Sequence, residues 1–81
     1  MKKIVITVDG ETRPFTDMGL RSMQRIVGGY VEIVYLPDGS QMLVDEDGIS
    51  KGLEVNYSAS MRAGPAILGD VLILTGRALW K

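Results

Sequence analysis

The chain has 81 residues, 46% of them hydrophobic and 23% charged, with a net charge of −1. That is the composition of a chain that folds, and the length gives one hydrophobic core and one domain, residues 1–81. Cysteine and histidine are both absent, which excludes disulfides, thiolate and imidazole metal ligands, thiol nucleophiles and near-neutral proton shuttles.

The near-neutral charge also excludes the basic field that supplies most non-specific affinity for duplex nucleic acid, leaving room only for a local phosphate contact. The longest strongly apolar run, Val71-Leu72-Ile73-Leu74, falls far short of the roughly 20 residues of a membrane span. Met1-Lys2-Lys3 leads into a run too short and too alternating for a secretory signal, so the cytoplasm is the expected compartment. A core this small, without disulfides, is expected to gain from self-association into a homo-oligomer.

Lys3 to Val8 is a β-branched run that reads as a strand, turned by Asp9-Gly10. After a polar connection ending at Pro14, Thr16 and Asp17 are both suitable N-caps. Leu20, Met23, Ile26 and Val27 then recur at helical spacing. Gly28-Gly29 stops this helix, and Gly19 in its first turn is expected to weaken it by up to ~1 kcal/mol.

Tyr30 to Leu36 reads as the next strand, with Glu32 on the face opposite Val31, Ile33 and Tyr35. Pro37-Asp38-Gly39-Ser40 turns it into Gln41 to Val44, forming an antiparallel hairpin. Asp45 to Gly48 is a second turn, followed by a loop with a short extended piece up to Val55. Asn56 caps a short helix over Tyr57 to Ala63, which Gly64-Pro65 ends. Val71 to Thr75, apolar at almost every position and bounded by turn residues, reads as a buried central strand. The expected fold is α+β: a single mixed or mainly antiparallel sheet of about four strands, with one main and one short helix on one face.

Met23-Gln24-Arg25-Ile26-Val27-Gly28-Gly29-Tyr30-Val31-Glu32 resembles one family of small proteins. Asp45-Glu46-Asp47-Gly48, Lys51-Gly52-Leu53, Asn56 and Gly69-Asp70-Val71 match its later landmarks in order and spacing. The family is a domain of unknown function, number 3846, and the resemblance spans about residues 3–75. Met23 stands where leucine is usual, Val31 where isoleucine is, Asp45 where asparagine is frequent and Glu54 where proline is common. The resemblance implies the fold and a setting in phages, plasmids and other mobile elements of bacteria; it implies no activity.

Among residues that carry chemistry, Asp45, Glu46 and Asp47 form the one dense carboxylate cluster. They lack the spacing and distal glutamate of a calcium loop and read as turn residues, so no metal is expected. Gly28-Gly29 follows a helix, whereas phosphate-cradling loops precede one. Ser58 and Ser60 lie near Arg62 with no base close in sequence. Arg21 and Arg25, one helical turn apart, form a pair of guanidinium forks suited to a phosphate or carboxylate, with Tyr30 just beyond the glycines to stack a base.

These residues point to a binding protein with no catalytic residues and no cofactor. The leading expectation is a sponge that counters host defence by sequestering a nucleotide-derived signal. Arg21, Arg25 and Arg62 would hold its phosphates, Tyr30 or Tyr35 its base, and Asn56 the base edge. The alternative is an inhibitor that docks on a host defence or regulatory protein through a strand edge or the Met18/Met23 helix face. A Mg²⁺-dependent enzyme built on Asp45, Glu46 and Asp47 ranks last.

Overall fold

The computed structural model describes residues 2–16, 19–76 and 79. Its elements are β1 (Lys2–Ile6), β2 (Thr12–Pro14), α1 (Leu20–Val27), β3 (Val31–Tyr35), β4 (Gln41–Asp45), α2 (Gly48–Lys51), α3 (Tyr57–Ala63) and β5 (Val71–Thr75). The strands form one sheet in the order β2-β1-β5-β4-β3, and every neighbouring pair is antiparallel.

The single sheet of an α+β fold is as expected, with five strands rather than about four. The extra one is β2, which pairs Thr12, Arg13 and Pro14 with Ile6, Val5 and Ile4. A polar tripeptide ending in proline carries no strand periodicity. It is tolerated because β2 lies at the sheet edge, where a missing N–H breaks no interior ladder.

β5 occupies the centre of the sheet, and its two sides bury into different clusters. Val71 and Ile73 join Ile6, Met42, Val44, Ala59 and Ile67 on one face. Leu72 and Leu74 join Val5, Met23, Val27 and Leu43 on the other. The helices therefore divide between the faces instead of sharing one: α1 covers the second cluster and α3 the first. The unbroken apolar run of β5 has its physical reason here, since a strand covered on both sides has no solvent side to make polar. Full burial of each such side chain contributes ~1.5–3 kcal/mol, so a polar residue at either Leu72 or Ile73 would open one of the two faces.

α1 begins at Leu20, later than the capping residues suggested, with Gly19 in the N-cap position in extended conformation and making no side-chain cap. Gly19 therefore stands outside the helix and does not weaken its first turn. Thr16 is a backbone acceptor for Lys3 Nζ at 3.2 Å, while Asp17 and Met18 lie outside the described residues. α3 spans the expected residues, and Gly64 N–H closes it on Ser60 O at 2.8 Å. The segment after β4 holds a single helical turn, α2, ended by Gly52 at φ 66. The expected extended piece survives as a lone bridge between Val55 and Leu68.

Candidate functional site

α1 turns Met23 and Val27 into the core and leaves Arg21 and Arg25 exposed. At its end Gly28 adopts φ 97, and the N–H groups of Gly28 and Gly29 both donate to Gln24 O, at 2.8 and 3.0 Å. The glycine pair is thus a helix stop whose amides are already used, and it offers no cradle for an anion. Beside it, Arg21, Gln24, Arg25, Gly28 and Gly29 border an open concavity of about 590 Å³. Neither arginine has an ion-pair partner among the described residues.

Beneath this turn lies an ion pair. Lys51 Nζ donates to Asp45 Oδ2 at 2.7 Å and to Gly28 O at 3.0 Å, and Asp47 N–H donates to Asp45 Oδ1 at 2.8 Å. The Asp45 side chain is 1% exposed. Its carboxyl is held below the usual carboxylate range, chiefly by the Lys51 hydrogen bond, against the opposing effect of burial. Asp45 is therefore the anchor of a latch between α2 and the α1 turn. The described residues hold no group of three acids, histidines or cysteines arranged for a metal ion.

Asn56 is fully buried. Its Oδ1 accepts from Ala59 N at 3.0 Å as the expected cap, while Nδ2 donates to Ile6 O at 3.0 Å and Gly69 O at 2.9 Å. With both amide protons used inside the fold, Asn56 holds α3, β1 and the turn before β5 together and is closed to a ligand.

The other expected site residues scatter. Tyr30 is 70% exposed next to the glycine pair but does not border the concavity. Tyr35 is exposed at the far end of β3, about 17 Å along the strand from Tyr30. Arg62 rides on α3, across the sheet from Arg21 and Arg25. There it helps Ser40, whose hydroxyl and N–H dominate, to lower the Asp38 carboxyl pKa. Ser60 Oγ bridges Asn56 O and Ile67 N, at 2.8 Å each, and is structural. Met23, expected on a docking face, is buried under α1.

Of the six expected ligand residues the structure brings together Arg21 and Arg25. It adds Gln24, which lies between them on the rim and stands in the Met-Gln-x-x-Val-Gly-Gly run itself. It also adds Lys51, whose place in the Lys-Gly-Leu landmark was its only sequence signal. The remaining landmarks are architectural as well: Gly69 has φ 81, which favours glycine, and a Cβ there would displace Leu53 Cδ1, 2.8 Å away, while Asp70 Oδ1 accepts from Val8 N at 2.9 Å.

The fold and these contacts define a small α+β domain, one antiparallel sheet with a helix on each face, whose most distinctive residues are committed to holding it together. The chain belongs to the family described as Domain of unknown function (DUF3846), whose model matches residues 1–78. No curated protein and no solved structure matches it. No helix among the described residues is long and apolar enough to cross a membrane.

Proposed function

We propose that this protein is a non-catalytic binder that sequesters a phosphate-bearing, nucleotide-derived signalling molecule, in a phage or mobile-element setting where removing that signal counters host defence. The reading rests on one observation: two guanidinium groups without an ion-pair partner among the described residues, Arg21 and Arg25, on the rim of one concavity with Gln24. A guanidinium without a carboxylate keeps its fork of N–H donors for a ligand, and that fork matches the oxygens of a phosphate or a ligand carboxylate. About 590 Å³ is within the range of small-molecule sites. Lys51, neutralised by Asp45, adds little to the field there, so the two arginines carry the attraction.

Among the described residues, Tyr30, which follows Gly29 in the chain, supplies an exposed ring for a base. Asn56, Tyr35 and Arg62 have no part in this site within one chain. The compartment this reading implies is the host cytoplasm, where such signals are made. Mass spectrometry of small molecules released on denaturing protein purified from cells with active defence signalling tests it. A released nucleotide supports the proposal, and empty protein from signalling cells contradicts it.

A second reading, inhibition of a host defence or regulatory protein, is favoured by Tyr57 and Met61, one turn apart on α3 and 75% and 87% exposed. Stoichiometric capture of one host protein, lost in Tyr57→Ser/Met61→Ser, would favour it over the sponge.

A further inference from the structure

The two edges of the sheet are unlike. β2 is three residues long, exposed throughout, and carries Arg13 and Pro14, the devices by which natural edge strands avoid pairing. β3 is five residues long, with no proline, lysine or bulge, and Glu32 is its single charge.

The ladder shows which backbone groups are open on β3. Glu46 N–H donates to Tyr30 O and Leu36 N–H to Ser40 O, so with the β3–β4 register the groups of Tyr30, Glu32, Val34 and Leu36 point inward to β4. Those of Val31, Ile33 and Tyr35 point outward, and no described residue takes them. Beside this edge runs an apolar hollow of about 350 Å³ whose lining includes Glu32, Val34, Val44, Ile49 and Leu68, with Ile49 87% exposed.

From this edge we infer that β3 pairs antiparallel with β3 of a second copy of the chain, about a two-fold axis at Ile33, to give one continuous sheet. The register follows from sequence. With the axis at Ile33, Val31 faces the partner's Tyr35 and Ile33 faces itself in hydrogen-bonded pairs, each exchanging two N–H···O bonds. Glu32 faces the partner's Val34. Moving the axis to Glu32 sets two carboxylates directly opposite, which is repulsive. Moving it to Val34 sets Val31 against Pro37, which has no N–H to give. The Ile33 register avoids both defects and makes the interface isologous, the ordinary form of a closed dimer. A host strand added to the same edge would need no such self-complementarity.

Sedimentation equilibrium on the full chain tests the pairing with two variants of matched size and polarity. Val34→Glu places a carboxylate opposite the partner's Glu32 at both symmetric positions, whereas Val34→Lys places an ammonium there. The hollow that Val34 lines also holds Glu32, Asp45 and Glu46 of the same chain, so the two charges act differently within the monomer, and the Tm of each variant at a concentration where it is monomeric separates that effect from the pairing. The expected result is a wild-type dimer whose Kd is about tenfold weaker in V34E than in V34K. A monomeric wild type, or equal Kd values in the two variants, overturns the pairing. The chain has no cysteine, so Glu32→Cys/Val34→Cys gives an independent reading, because facing residues of a non-hydrogen-bonded pair lie close enough for a disulfide. Oxidation is expected to yield a covalent dimer, and a chain that stays monomeric under oxidation contradicts the register.

Discussion

Lys51 lies over Gly29 so closely that a Cβ there would sit 2.6 Å from its ammonium nitrogen. The two glycines after α1 thus answer to different demands: Gly28 has a positive φ, whereas a side chain at Gly29 would require the Lys51 ammonium to move. Replacing Gly29 with alanine is expected to push Lys51 off Asp45 and destabilise the fold by ~2 kcal/mol. In a Lys51→Ala background, where the space is open, the same change should cost far less. Urea denaturation of the two single variants and the double variant measures this coupling, and additive losses would show that Gly29 is not there to admit Lys51.

The same ion pair makes stability depend on acid. Asp45 titrates lower in the folded protein than its ordinary value, because Lys51 stabilises the charged form. Its contribution is therefore complete above the unfolded carboxylate pKa of about 3.9 and is lost as pH falls through the lowered folded value. The stability gap between wild type and Lys51→Ala should be constant at neutral pH and close below about pH 4. A gap that persists unchanged into strong acid would mean that Lys51 stabilises through its stem and its bond to Gly28 O, and not through Asp45.

Asn56 is the most consequential polar side chain. Asn56→Ala removes the α3 cap and leaves Ile6 O and Gly69 O buried without a donor, which together cost ~3–4 kcal/mol. Asn56→Asp keeps the cap oxygen but presents a carboxylate to those two carbonyls, so it should rescue little. Thermal unfolding of the two variants checks this, and an Asp variant close to wild type would show that the cap, and not the bridge to Ile6 and Gly69, is what matters.

How much of this was legible in the sequence follows the range of the interactions. The β5 run, the Asn56 cap and the glycine stop of α1 are local, and their residues announce them. The β3–β4 hairpin is equally local, through its Pro-Asp-Gly turn. The two donor bonds of Asn56 reach 50 and 13 residues along the chain, and no local pattern encodes them. The allocation of helices to opposite faces has a signal in β5, whose four apolar residues in succession require cover on both sides. The ligand residues scattered for the same reason. Arginines at a four-residue spacing are held together by the helix that carries them, whereas Arg62, Tyr35 and Asn56 depend on which face and end of the sheet each element reaches.

Across the sheet, Arg62 serves as the internal control for the arginine pair. Arg62→Glu is expected to leave nucleotide affinity unchanged, since it lies on the face that α1 does not cover. A loss in R62E as large as that in an Arg21 variant, measured by equilibrium dialysis, would place the ligand elsewhere.

The most direct test of the account is isothermal titration of the wild type and of Arg21→Glu/Arg25→Glu with cyclic oligonucleotides and ADP-ribose derivatives. Both positions are exposed and outside the core, so the variant should fold with an unchanged Tm. The account predicts saturable heat with at least one nucleotide in the wild type and none in the variant; a folded wild type that binds none of them, or a variant that binds as well, would contradict it.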